Sequence, residues 1–305
     1  MSQTIASLDR KIKVAADLQK VVRTMKAMAA SSIGQYEKSM HSSSEYYRTV
    51  ELGLGLCLRK ISRESILTLP LISERRITPE KIGMVIFGSD QGLVGQFNNV
   101  VASYAINTLK ELPGHHRIWT IGERVGAYLE NIGLSIEGTF TLPKSVKAIT
   151  PLVSEILIDT NADDFEGDCD ELYLVYNHRT SVADYEPKSL RLLPLDNFWQ
   201  RDLIKCQWPN KNLPEVITAK DSTLKSLIRE YLFVSIFRSC TESLASENVS
   251  RLLAMQRADK NIEELLANLR STFHRLRQGN IDEELFDVVS GFEALSKDIR
   301  NDKKY

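Results

Sequence analysis

All nine prolines of the 305-residue chain lie between Pro70 and Pro214, so residues 1–69 and 215–305 contain none. Proline inside a helix removes a backbone hydrogen bond and clashes with the preceding turn, at a cost of about 3 kcal/mol. Its absence only permits a long helix; apolar spacing must supply the positive evidence. From Ile5 a stripe runs Leu8, Ile12, Ala15, Leu18, Val22, Met25, Ala29, Ile33, Tyr36, Met40, Ser43, Tyr47, Val50, Leu54, Cys57 and Ile61. A second runs from Leu224 through Leu227, Tyr231, Val234, Arg238, Thr241, Ala245, Val249, Leu252, Met255, Ala258, Ile262, Leu265, Leu269, Phe273 and Leu276, and resumes at Ile281, Leu285, Val288, Phe292, Leu295 and Ile299. The steps of three and four average about 3.5, the spacing of a left-handed coiled coil. At about 1.5 Å per residue the two segments reach roughly 85 Å and more than 100 Å, far beyond the helices of a compact domain. Neither buries its stripe alone. We therefore expect an antiparallel pair that leaves a compact middle and returns to it.

With 26% charged and 43% hydrophobic residues, the composition is that of an ordinary soluble protein long enough for two or so structural units. The formal net charge of −1 conceals an uneven distribution, +5 over residues 1–65, −5 over 66–213 and −1 over 214–305. The excess lies on the first helix, where Arg10, Lys11, Lys13, Lys20, Arg23 and Lys26 are opposed only by Asp9 and Asp17. Such a face is either solvated or suited to an acidic partner. Cys57, Cys169, Cys206 and Cys240 are scattered without metal-finger spacing and read as reduced thiols of an intracellular compartment. No run of 18 apolar residues exists, and Met1 stands close to the first stripe, so neither a membrane span nor a leader peptide is expected. Membrane association would come through a partner.

Between Pro70 and Pro214 short apolar runs alternate with turns. Residues 82–87, 117–121, 172–176 and 189–195 read as strands, and 98–112 and 123–132 as helices. Alternating strands and helices imply an α/β layer fold with a largely parallel, Rossmann-like sheet. The expected division is therefore a helix over 1–65, an α/β domain over 70–213 and a second helix over 214–305.

The middle offers no independent active site. Gly88-Ser89-Asp90-Gln91-Gly92-Leu93-Val94-Gly95 sits where phosphate loops occur, but it lacks both Gly-Lys-Ser/Thr and GxGxxG, and reads as a tight strand-to-helix turn. Asp159, Asn161 and Asp163 have the spacing of the first calcium-loop ligands, yet Asp164 stands where Gly is required and Asp170 where Glu is. His41, His115, His116, His178 and His274 form no metal spacing. No metal and no cofactor is expected. Asn248-Val249-Ser250 is a formal glycosylation sequon, irrelevant without a secretory signal.

Three segments together resemble the gamma subunit of F-type rotary ATP synthases. The first is Arg10 to Ala30, with Gln19-Lys20, Met25-Lys26 and Ala29-Ala30. The second is Ser89 to Gly95, similar to the family's Ser-Asp-Arg-Gly-Leu-Cys-Gly turn. The third runs from Ala245-Ser246-Glu247 through Arg251, Ala254-Met255, Asn261, Arg277-Gln278, Ile281, Glu284-Leu285 and Val289-Ser290-Gly291. The resemblance covers nearly the whole chain, in the family's order. Departures are Gln91 for Arg, Val94 for Cys, Phe273-His274 for Tyr-Asn, Asp282 for Thr, and a tail from Ser296 to Tyr305. They suggest a divergent branch such as the alternate, N-type ATPases.

The resemblance implies a non-catalytic central-stalk subunit that transmits torque. In the family the terminal helices form an axle inside a ring of three alpha and three beta subunits. The α/β domain sits beside the epsilon subunit and on the membrane c-ring. The implied location is the cytoplasmic face of the cell inner membrane, through the complex, with no nucleic acid or small-molecule substrate of its own. Expected contacts with the catalytic subunits are Arg277, Gln278, Asp282, Met25 and Lys26; the plain alternatives are a coiled-coil core position for Met25 and a solvated charge for Arg277. Gly279 and the jump of the stripe from Leu276 to Ile281 mark either a local change in packing or simple tolerance. Two other functions compete, a dinucleotide-dependent enzyme with helical oligomerisation arms and a coiled-coil scaffold, for instance one binding nucleic acid through its basic helix.

Overall fold

A computed structural model describes residues 4–64, 79–162, 169–181, 184–209, 212, 214 and 220–301. The proline-free ends are two helices, α1 (Ile5–Glu64) and α6 (Lys220–Asn301), 60 and 82 residues long. Between them lie β1 (Lys81–Phe87), α2 (Phe97–Glu111), β2 (His115–Ile121), α3 (Glu123–Asn131), β3 (Gly138–Phe140), α4 (Ile149–Asp159), β4 (Glu171–Arg179), β5 (Tyr185–Leu193) and α5 (Asn197–Lys205). The chain divides into two compact units, Met1–Ala27 with Met255–Tyr305, and Met28–Ala254.

The second unit contains a five-stranded sheet in the order β3-β2-β1-β4-β5. β3, β2, β1 and β4 are parallel, and β5 returns antiparallel to β4. Successive side chains of a strand point to opposite faces, and a parallel strand covered on both sides needs apolar residues throughout. β1 shows this: Met84 and Ile86 pack with Val101, Ala105 and Leu109 of α2 and with Val125 and Leu129 of α3. Val85 and Phe87 turn the other way, into a core with Ile149, Val153 and Ile156 of α4, Val50 and Leu54 of α1, and Leu224, Ile228, Leu232 and Ile236 of α6. The sheet thus holds the inner parts of both long helices on one of its faces. The Arg59 guanidinium, bonded to the Ile204 and Cys206 carbonyls, ties α1 to α5.

Sequence reading located the four longer strands to within a few residues and passed over β3, α4 and α5. β3 has three residues, too few to show a period. α4 combines Thr150 and Pro151 with β-branched Ile149, Val153, Ile156 and Ile158, residues that single-sequence reasoning does not assign to a helix. Proline is accommodated there because it lies in the first turn, where its missing N–H has no partner to lose.

The turn after β1 is held by its own polar groups. Ser89 N–H donates to Asn98 Oδ1 (3.0 Å), and Asn98 Nδ2 donates to Ser89 Oγ (2.8 Å). The Asp90 carboxylate accepts from the Glu123 and Leu142 N–H groups, each at 3.1 Å. A loop that fills its mouth with a carboxylate repels phosphate, so the turn is structural. Gly122 packs against it with φ +101°, and a Cβ there would lie 2.7 Å from the Ser89 carbonyl carbon.

Candidate functional site

In α1 the buried residues Leu8, Ala15, Val22, Ala29, Tyr36, Ser43, Val50 and Cys57 recur every seven positions. A strict seven-residue period keeps one line of a helix on its partner. In the first unit the facing residues of α6 are the buried Met255, Ile262 and Leu266. Between the heptad positions the structure departs from the expected stripe. Leu18 is 53% exposed and Met25 half-buried, while Gln19 and Lys26 enter the seam.

The reason is Asp259. Its carboxylate is 14% exposed and accepts from three successive turns of α1: Gln19 Nε2 (3.2 Å), Arg23 Nε (3.1 Å) and Lys26 Nζ (3.2 Å). These bonds, Lys26 foremost, hold the Asp259 carboxyl below the usual carboxylate range. Once polar groups occupy the seam, apolar residues are left outside, and Val14, Leu18 and Val21 form an exposed stripe.

The other predicted contacts sit elsewhere on the same unit. If Asp259 lies opposite α1 residues 19–26, antiparallel pairing places Ile5, where α1 begins, opposite roughly residue 277 of α6. Every residue from Arg277 to Gly291 is exposed. Arg277, Gln278 and Asp282 are all on this stretch. Asp282 is four residues from Gln278, on its face of the helix, and five from Arg277, so it does not stack on Arg277. The five predicted residues are not brought together: the Arg277 end lies about 27 Å along the helix from the Asp259 cluster. Leu276 and Phe273 are half-buried, whereas Ile281, Leu285, Phe286, Val288 and Val289 are between 48% and 73% exposed. Helix α6 runs through Gly279 and Gly291, where an added Cβ would meet nothing within 4 Å among the described residues.

A second polar centre, invisible to the stripe analysis, lies in the second unit. Twelve consecutive α6 residues, Ser239 to Ser250, are buried, and most are polar. Ser239, Thr241 and Ser246 return their hydroxyls to carbonyls one turn back, and Asn248 does the same with its amide. Glu242, 2% exposed, accepts from Arg238 Nε and bonds to His178 Nδ1 of β4, both at 2.9 Å. Burial pushes the neighbouring Tyr176 phenol up to about 12 and raises Tyr47, which lies under the Arg238 guanidinium at 5.7 Å. Glu247 pairs with Arg251, and Arg179 of β4 with Glu37 of α1. Buried charges persist only when paired. Here the pairing joins α6 and α1 to the sheet. The pairs Arg238/Glu242 and Glu247/Arg251, each four apart, are the signal that a sequence search could have used.

Among the described residues no group of His, Cys, Asp and Glu could hold a metal ion, and no helix is long and apolar enough to cross a membrane. Asp170, one of the calcium-loop positions, spends its carboxylate on the N–H groups of Glu80 and Lys81; Asp163 and Asp164 lie outside the described residues.

A protein-family model described as ATP synthase matches residues 4–295. Among solved structures, the chain is similar to one from the Euglena gracilis mitochondrial ATP synthase OSCP/F1/c-ring in rotational state 3, with TM-score 0.62, 15% identity, 95% of this chain and 94% of that chain covered. The Euglena gracilis mitochondrial ATP synthase rotor in rotational state 1 gives TM-score 0.55, 16% identity and coverage of 91% and 98%. The Tetrahymena thermophila mitochondrial ATP synthase central stalk/c-ring gives TM-score 0.56, 18% identity and coverage of 78% and 99%. At these identities the structures speak to the fold, and the family match carries the relationship.

Proposed function

The chain belongs to the ATP synthase gamma-subunit family and is a non-catalytic central-stalk subunit, the rotor of an F-type ATP synthase; from that premise we propose that its helical unit turns against a ring of alpha and beta subunits while its α/β unit meets the c-ring and the epsilon subunit. The observation that carries this reading is the set of exposed apolar residues between Ile281 and Val289 of α6. An apolar helix face left exposed among the described residues is suited to a partner subunit. Met28 (65% exposed) continues the spacing of Val14, Leu18 and Val21 along α1.

The working division keeps 1–65 and 214–305 as the shaft segments and 70–213 as the α/β module. Arg277 shares a face with Ile281 and Leu285, whereas Gln278 and Asp282 share one with Phe286. The proposed contacts with the catalytic subunits are therefore two adjacent edges of one helix, each mixing a polar group with an apolar one. Met25 and Lys26 form a separate contact nearer Asp259, where Lys26 retains 37% of its side-chain surface.

A rotating face acts on a catalytic subunit only through contacts that differ between that subunit's conformations. Moving a two-state equilibrium from 1:99 to 99:1 takes about 5.5 kcal/mol, which a few directional contacts supply. In this reading ion flow through a membrane ring drives the turning, and the subunit lies at the cytoplasmic face of the inner membrane by virtue of the complex. The test is co-purification with alpha and beta subunits. One copy per three alpha/beta pairs, with ATPase activity dependent on it, is expected; a chain that never enters such a complex refutes the proposal.

A further inference from the structure

A seam of period seven does not by itself choose a register. Ala15 and Val22 of α1 lie against the stretch of α6 that holds Met255, Ile262 and Leu266, and sliding one helix by a heptad still sets apolar residues against apolar residues. Asp259 breaks that degeneracy. Its three donors are Gln19, Arg23 and Lys26, spaced i, i+4 and i+7, so one carboxylate reads three turns at once. A one-heptad slip moves the helices by about 10 Å, well beyond hydrogen-bond reach. Slid one way, Asp259 would face Ile12, Ala16 and Gln19; slid the other, Lys26, Ala30 and Ile33. Either slip loses two of the three donors and strands a carboxylate in an apolar seam.

We infer that Asp259 is a positioning residue that holds the register of α1 against α6 within the first unit, as the Tyr46–Glu230 and Tyr47–Tyr231 hydrogen bonds do within the second. A polar group at a seam position sacrifices stability for one alignment. The inference deepens the rotor reading, on which its functional consequence rests. The register sets the axial offset and angle between the Val14, Leu18 and Val21 stripe and the Arg277 to Val289 segment. A slipped pair would present one face correctly and the other misplaced. Lys26 then serves the shaft from within, through Asp259, as well as from its surface.

The test uses the full-length chain with spin labels on ketone-bearing unnatural residues at the exposed positions 11 and 270, which leaves the cysteines in place. Pulsed electron resonance should give one narrow distance distribution in the native chain. Asp259→Leu should add a population displaced by about 10 Å along the axis, with the melting temperature unchanged or higher, since Arg23 and Lys26 can return to water. Asp259→Glu should keep the single population. If Asp259→Leu fails to fold, Asp259→Asn, with the same shape and no charge, should broaden the distribution. A single native distribution in a folded Leu or Asn variant overturns the inference. Because this measurement is made on the isolated chain, its outcome is separate from that of the co-purification that tests the rotor reading.

Discussion

Phe286 provides the sharpest separation between a residue that stabilises the chain and one that serves a partner. Its surface is 71% exposed, so Phe286→Ser removes little that the isolated chain uses. An exposed substitution of this kind stays within about 0.5 kcal/mol, or about 2–4 °C in melting temperature for a unit of roughly 80 residues. In the assembled complex the arithmetic differs. A phenylalanine presents roughly 200 Å² of surface, so about 140 Å² is available for burial. At about 25 cal/mol per Å², complete burial would contribute about 3.5 kcal/mol. Burial of half that area gives about 1.8 kcal/mol, a roughly 20-fold loss of affinity. The assay is titration of a preformed alpha/beta ring with labelled chain, native against Phe286→Ser, alongside thermal unfolding of each chain alone. The reasoning fails if ring affinity is unchanged, or if the isolated variant melts several degrees lower, which would mean that the side chain is already packed.

Other outcomes follow from the same geometry. Arg277→Ala should lower the coupling between hydrolysis and ion pumping in the complex, and Asp282→Thr should be tolerated; full coupling in the Ala variant counts against the assignment of that edge. Because the Asp259 carboxyl titrates below its unfolded value, its contribution is fully present above the ordinary carboxylate range and is lost as pH falls through the depressed folded value. Helix-pair unfolding followed by circular dichroism should therefore show an acid transition that Asp259→Asn abolishes. Gly122→Ala forces a Cβ onto the Ser89 backbone at a positive φ and should cost about 3 kcal/mol by denaturant titration. Glu242→Ala should cost about 2 kcal/mol, less than the 3–5 of a fully buried pair, because Arg238 and His178, 41% and 37% exposed, can rehydrate; a loss above 4 would show that they cannot.

Much of this architecture was legible in the sequence because its determinants are local. A proline-free span with 3.5-residue spacing shows two long helices, and apolar runs separated by turn residues show β1, β2, β4 and β5. Elements whose local signal is short or mixed, such as β3 and α4, were not visible. The candidate contacts near Met25 and Arg277 came from a resemblance in motif, and the fold sets them on separate stretches of one helical unit rather than in a single site.

The sequence alone determined that both ends of the chain are long helices with heptad stripes and that an α/β layer lies between them. Tertiary structure decided which residues occupy the seam. Leu18 and Met25 satisfy the spacing as well as Gln19 and Lys26 do, because a mean of 3.5 is met by alternating steps in more than one phase. The choice was made by a carboxylate more than 230 residues further along the chain, which needs donors once it is removed from water. Tertiary structure likewise decided that Ile281, Leu285 and Val288 of α6 are exposed, since a stripe specifies only that a partner is required and not where it comes from.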